Sequence, residues 1–463
     1  MEQTTPTVEA QNAAATEPAA AAANPVPPAP MRIEDTGLDM AFLINLIAKG
    51  MYLENLEDVS QFTQATKLPD NIINVVCQEM VDRKLMSATG SSGAGAAAAV
   101  RYQLSREGQQ TAVDACAQNQ YFGPAPVPLE EFQDRIRMQS IGGERVSKED
   151  IARAFADIVV PEEFTKRLGP AINSGHSILI YGPAGNGKTT VAEKVAEIFE
   201  TVVYIPHCFI IDGAIVKVFD PAVHKEIEGA DGEAPARPTL RRAKNDRRWV
   251  ACNRPVVVTG GELTLEMLDL RFNEIAKFYE VPLHVKALNG TFIIDDFGRQ
   301  RVSPEELLNR WIVPLQSRID NLTLFSGKAF TIPFDELVIF STNLAPDNLM
   351  DPAFLRRIPY KLETLMPSDE AFRAIFTAVA AKQGLELTDD IFTYVVGELR
   401  DRLNKPLACY QPKFIVDQVV AACKYEGIPP TFNQEFIVDA LSNLYVQDSS
   451  YVGQVGMAEP GAS

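Results

Sequence analysis

One octapeptide narrows what this chain can fold into more than any other feature: Gly182-Pro-Ala-Gly-Asn-Gly-Lys-Thr189. It follows the apolar run Ile178-Leu-Ile-Tyr181 and leads into the helical pattern Val191, Ala192, Val195, Ala196, Phe199. Strand, glycine loop and helix in that order are the context of a phosphate-binding loop. The glycines let backbone N–H groups converge on a phosphate, and the helix N-terminus adds positive potential. The candidate binding residues are Gly182, Pro183, Ala184, Gly185, Asn186, Gly187, Lys188, Thr189 and Thr190. Lys188 supplies a mobile cation to the β- and γ-phosphates, and Thr189 offers a hydroxyl to Mg²⁺. After Asp150, short β-branched runs alternate with amphipathic helices, the sign of a parallel α/β sheet.

Such a loop needs an acidic partner on a neighbouring strand, and Thr291-Phe-Ile-Ile-Asp295-Asp296 provides one. Asp295 is placed to hold Mg²⁺ with Thr189, and Asp296 stands where an acid polarises an attacking water. A further apolar run, Leu337-Val-Ile-Phe-Ser341, ends in Thr342-Asn343; an amide there touches both the γ-phosphate and the water. Arg356 and Arg357 follow in Asp351-Pro-Ala-Phe-Leu-Arg-Arg-Ile, spaced from Asn343 as an arginine finger would be.

These pieces, in this order, resemble the AAA+ ATPases over residues 150–447. The resemblance implies Walker A at 182–189, Walker B at 293–296, sensor 1 at Asn343 and finger arginines at Arg356 and Arg357. It implies a helical lid after Pro367, and places the sensor 2 cation nearest Lys413, in Tyr-Gln-Pro-Lys-Phe. Asp296 stands where most members carry Glu. Lys188 and Asp295 lie 107 residues apart, about twice the usual distance, so extra chain is inserted between them. The stretch 319–333 has hairpin form, and with the helical pattern Glu305–Gln316 before it is similar to the pre-sensor-1 layout of MoxR-type chaperones and bacterial enhancer-binding activators. The expected fold class is therefore α/β: an AAA+ parallel sheet with a helical lid, preceded by a small winged-helix-like α+β module.

The remaining organisation follows from composition. Residues 1–30 hold ten Ala, six Pro, three acids and no base, and read as a disordered tail. Residues 31–120 read as three helices (from Leu43, from Glu57 and from Asp70), a flexible tip over 88–99, a strand at 101–104 and a last helix: a winged-helix pattern. Residues 121–150 are Pro-rich and read as a linker. The core is expected over 151–366 and the lid over 367–450, with Ser368 and Thr388 as helix N-caps followed by acid pairs. Residues 451–463 read as a tail.

Charge bears on partners. The formal net charge is −18 over 463 residues, with 43 Lys+Arg against 61 Asp+Glu, which argues against coating DNA or an anionic membrane. Residues 31–120 sum to −4, and the third helix carries Arg83 and Lys84 only at its far end. Asn71, Asn74 and Gln78 offer base contacts, yet protein contact is the stronger reading. Residues 237–254 hold seven Arg/Lys and one Asp: an anion-gripping island, for nucleic acid with Trp249 stacking on a base, for a protein surface, or a solvated loop. Lys277-Phe278-Tyr279 reads either as a pore-lining aromatic pair or as core. Six scattered cysteines and four histidines give no disulfide or zinc pattern. No apolar run spans a bilayer and no secretory leader is evident, so a soluble cytoplasmic protein is expected.

The resemblance implies a homo-oligomeric ring that binds and hydrolyses ATP with Mg²⁺ to remodel a protein client. The alternatives are a DNA-directed regulator or replication/transposition helper, and a nucleotide-gated assembly switch.

Overall fold

The computed structural model describes residues 24–92, 99–227, 245–349 and 352–445. At its centre is a five-stranded sheet whose pairs are all parallel: β1 Ile178–Tyr181, β2 Val256–Thr259, β3 Thr291–Ile294, β4 Leu337–Thr342 and β5 Tyr360–Glu363. Across the sheet the strands run β5-β1-β4-β3-β2. β3 and β4 are buried throughout, which is why they read as unbroken apolar runs rather than alternating ones. β2, at the edge, alternates instead, with Val256 and Val258 exposed and Val257 and Thr259 buried. Helix Lys188–Ala196 covers one face through Val191, Ala192 and Val195. Helix Pro304–Ser317 covers the other through Leu307, Leu308 and Trp311. Ser303 and Glu306 form a reciprocal capping box there and Pro304 occupies the first turn, so the start of this helix is written locally.

The extra chain between Lys188 and Asp295 supplies four of the five strands of a second sheet beside the first, and Val127–Pro128 supplies the fifth. Its order is Arg271–Asn273, Phe278–Glu280, Ala214–Lys217, Cys208–Ile211 and Val127–Pro128. A separate pair, Val203–Pro206 with Trp249–Cys252, flanks it. The hairpin expected over 319–333 is present, Ile319–Thr323 pairing with Ala329–Pro333. It buries Leu322, Leu324, Phe330 and Ile332 in the core of this inserted subdomain. Of Lys277-Phe278-Tyr279, the aromatic pair is strand and core rather than a pore loop: Tyr279 is buried, and Phe278 packs edge-on against Tyr121 at 5.9 Å, while Lys277 is exposed on the turn before them.

Three expectations on domain organisation change. Residues 121–150 are not a linker: Val127–Pro128 pairs parallel with Phe209–Ile210, and helix Leu129–Met138 buries Phe132 and Ile136. Proline suits an edge strand because it has no N–H to offer, and the amphipathic LEEFQDRIRM that follows outweighs the breaker signal. The wing is longer than its apparent tip: Met86–Ser92 pairs antiparallel with Ala99–Leu104, so Ala88–Ser92 belongs to a strand. The reading of residues 1–30 as a free tail fails from Asn24 onward, where the chain is hydrogen-bonded to the inserted subdomain. Residues 1–23 and 446–463 lie outside the described residues.

The three helices before the wing are Met40–Leu53, Val59–Thr66 and Asp70–Asp82, and Arg106–Gln118 follows it. Their core runs on into Cys208 and Ile215 of the inserted sheet. Beyond β5, four helices (Asp369–Lys382, Asp389–Gly397, Tyr410–Glu426 and Gln434–Leu444) share a separate core around Phe372, Phe376, Val419 and Leu441. Ser368 and Thr388 accept hydrogen bonds from Ala371 and Ile391 N–H, as N-caps do.

Candidate nucleotide site

The loop emerges from the C-terminal end of β1, and its glycines are needed where the chain is crowded. Gly182 has φ +142, and a Cβ there would lie 2.3 Å from the Thr364 carbonyl oxygen. Gly185 has φ +79, and a Cβ would lie 2.3 Å from the Tyr410 ring. Both are conformations that L side chains rarely adopt. Gly187 is the N-cap from which helix Lys188–Ala196 starts, so the helix N-terminus opens directly onto the loop.

Lys188 is 6% exposed. Its Nζ donates to the carbonyls of Gly182 at 3.1 Å and Pro183 at 2.8 Å. Burial pulls its pKa down, against the opposing pull of Asp296 and Asp295. Thr189 Oγ1 donates to Asp295 Oδ2 at 2.8 Å. Asn343 Nδ2 donates to Asp296 Oδ1 at 2.9 Å. The structure thus brings together the loop, both acids and Asn343 from three strand ends. Asp296 sits in the left-handed region at φ +48, which Asp tolerates better than most residues. Thr190 is exposed, on the first helical turn.

The other expected residues fare differently. Arg356 is exposed on the turn after Leu355, while Arg357 is half-buried. Lys413, expected at sensor 2, is exposed and bonds to Asp417 at 2.7 Å, one helical turn on. The lid instead meets the loop through the residues just before it. Tyr410 N–H donates to the Gly185 carbonyl at 3.0 Å, and Cys409 N–H to Asn186 Oδ1 at 3.4 Å. Asn186 is 7% exposed, and its Nδ2 has no hydrogen-bond partner.

Three supports escaped the sequence reading. Thr364 bonds to the Tyr181 carbonyl and closes over Gly182. Gln300 Nε2 donates to the Asp295 carbonyl at 2.9 Å, while its Oε1 accepts from Gly298 N–H at 2.8 Å, holding the turn after β3. Tyr410 is the third. Each is a single residue, Thr364 and Gln300 beyond strand ends and Tyr410 at a helix start, with no spacing to mark it.

The basic island changes character. Arg248 is 1% exposed, chelating Asp246 and donating to the carbonyls of Thr36 and Pro126. Arg254 is buried against Glu144. Trp249 is buried in the inserted core, not offered to a base. Arg237, Arg241, Arg242 and Lys244 lie outside the described residues. In the winged-helix-like module, Asn71, Asn74 and Gln78 donate to Met31, Asp70 and Asp82 of the same chain, and Arg83 pairs with Glu79.

Among the described residues no group of three or more His, Cys, Asp or Glu is arranged to hold a metal, and no helix is long and apolar enough to cross a membrane.

Residues 368–443 match a family described as a domain of unknown function (DUF8689). A 69-residue stretch is 36% identical to an ATP-dependent zinc metalloprotease FtsH of Oenococcus oeni. It covers 15% of this chain and only 9% of that protein's length. Among solved structures, similarity is found to NtrX of Brucella abortus, at 14% identity, covering 77% of this chain and 71% of that one, with a TM-score of 0.39. A RuvB mutant of Thermotoga maritima matches at 13% identity over 67% and 74% of the two chains, TM-score 0.34. A magnesium chelatase BchI–BchD complex matches at 18% identity over 63% and 95%, TM-score 0.33. In this chain the glycine loop leaves β1, second in the spatial order β5-β1-β4-β3-β2, and faces an acid pair that follows β3 and an asparagine that follows β4, within the parallel α/β fold expected from the sequence.

Proposed function

We propose that this chain binds and hydrolyses ATP and, as a homo-oligomer, uses the cycle to remodel a protein partner. The observation that carries the reading is the convergence of Lys188, Asp295, Asp296 and Asn343 on one loop. The donor set fits the group it would hold: a hydroxyl and a carboxylate oxygen 2.8 Å apart are hard oxygen ligands, suited to Mg²⁺. Thr189 and Asp295 would hold that ion, which supplies positive charge to the phosphate oxygens.

The chain's own residues do the rest. The loop N–H groups and Lys188 bind the phosphates; freed from the Gly182 and Pro183 carbonyls, the ammonium turns to them. Asp296 accepts a proton from water, and Asn343 fixes its carboxylate through the 2.9 Å bond. Arg356, exposed, is the residue that reaches a neighbouring subunit's nucleotide. Tyr410 and Cys409 carry the state of the loop to the lid through their bonds to Gly185 and Asn186. The protein-directed reading is supported by the winged-helix-like module, whose candidate base-reading amides are engaged within the chain and whose Arg83, just past the third helix, is paired with Glu79.

The test is phosphate release by wild type and Asp296→Asn, with ATP binding measured alongside. Hydrolysis should fall ~10²–10⁴-fold with binding retained. An equally slow wild type would return the nucleotide-switch reading. Lys188→Ala should abolish binding, and tight ATP binding by that variant would overturn the site.

A further inference from the structure

The segment Asn24–Pro30 is seated on the inserted subdomain in a particular way. Pro27 and Pro30 are buried and Asn24 is half-buried, while Pro25, Val26 and Pro28 are exposed. Burial at every third residue is the period of a polyproline II helix. The surface beneath reads the backbone of this segment. Arg135 Nη1 donates to the Pro25 carbonyl at 2.6 Å, and Asp246 N–H to the Pro27 carbonyl at 2.9 Å. Pro28 forms an isolated antiparallel bridge with Asn245, and Asn24 Nδ2 donates to the Val202 carbonyl at 2.8 Å. Arg135 is 7% exposed, with its guanidinium 5.5 Å from the centroid of the Trp249 ring and 5.8 Å from that of Tyr204.

Aromatic rings beside a donor aimed at a carbonyl are the chemistry by which proline-rich segments are recognised, because a segment already in the polyproline II form loses little entropy on docking. We propose that this groove is a polyproline-recognition site and that Pro27-Pro28-Ala29-Pro30 is its resident ligand. An uncharged proline-rich segment of another chain, with prolines three apart, competes for it. The inference does not depend on the nucleotide reading. The seated strap also ties subdomains together: the Met31 carbonyl that follows it accepts from Asn71 Nδ2, on the third helix of the winged-helix-like module, at 2.7 Å. A competing segment therefore removes one tie between that module and the inserted subdomain.

The test uses a fluorescein-labelled peptide of residues 22–32 and fluorescence anisotropy on the full chain. Two proteins are compared: wild type, and a full-length variant with residues 24–30 replaced by Gly/Ser of equal length. A tethered strap acts at an effective concentration of about 1 mM, so wild type should bind the peptide at least tenfold more weakly than the open variant. Replacing both Pro27 and Pro30 of the peptide by Ala should weaken binding to the open variant at least tenfold, as should Arg135→Ala in that variant. If the Gly/Ser chain does not fold, full-length Pro27→Ala/Pro30→Ala takes its place. Three results overturn the proposal: no peptide binding by a folded open chain, equal binding by open and wild-type chains, or equal binding of the Ala-substituted peptide.

Discussion

Replacing Asn343 with Ala isolates the contact on which the proposed chemistry turns. The side chain gives one hydrogen bond, 2.9 Å, to Asp296 Oδ1. Asp296 is held at φ +48, so its carboxylate direction depends on that partner and on the Gln300 bond to its own carbonyl. A hydrogen bond to a charged group contributes about 1.5–3 kcal/mol. If all of it acts on the aligned carboxylate, hydrolysis should fall ~10–150-fold, at about 1.4 kcal/mol per tenfold. Lys188 and Thr189 bond to Gly182, Pro183 and Asp295 rather than to Asn343, so ATP affinity should change less than about threefold. Phosphate release under saturating ATP, set beside equilibrium binding of a fluorescent ATP analogue, separates the two effects. The double variant Asp296→Asn/Asn343→Ala sharpens the test. If Asn343 works through Asp296, the double variant should be no slower than Asp296→Asn alone, the non-additivity expected of groups that touch. A double variant slower by the product of the two single effects would refute that route and give Asn343 an independent role on the phosphate.

Other expectations are equally direct. Gly185→Ala combines left-handed strain of roughly 1–2 kcal/mol with a Cβ placed 2.3 Å from the Tyr410 ring; a further Tyr410→Ala change should recover lid protection in hydrogen exchange but not the strain, and full recovery would contradict the geometry. Arg248→Ala strands the buried Asp246 carboxylate and should lower stability by about 3–5 kcal/mol, read from the urea midpoint. Arg248→Lys should rescue little, because an ammonium cannot reproduce the bidentate fork.

Stability should also fall with acid. Burial, aided by Lys67 and Lys217, lowers the His207 pKa from 6.5 to about 4. The unfolded chain therefore binds a proton that the fold refuses as pH drops from about 6.5 toward 4, a loss approaching about 3 kcal/mol. Unfolding midpoints between pH 7 and 4.5 should drop more for wild type than for His207→Gln; parallel curves would remove His207 as the cause.

The order of the core elements and the residues that gather at the loop were legible in the sequence because both rest on local signals. A glycine loop between strand and helix, acids closing an apolar run, and an amide closing another are short-range patterns, and a parallel sheet brings strand ends to one edge. N-caps at Ser368 and Thr388 are local in the same sense. Misread were features whose meaning depends on a distant partner. Arg248 and Trp249 look like surface chemistry until Asp246, Thr36 and Pro126 surround them. The proline-rich runs at 24–30 and 121–128 look like tail and linker, since proline breaks helices, until a groove and a strand edge accept them. Lys413 carries the right charge at the right distance along the chain, but its helix turns it toward Asp417. The sequence by itself determined the sheet, the loop and the acids, because hydrophobic period and turn chemistry act over a few residues. Only the tertiary structure decided which arginines are buried, where the lid touches the loop and what the proline strap covers, because burial and long-range hydrogen bonds exist only after the chain has closed on itself.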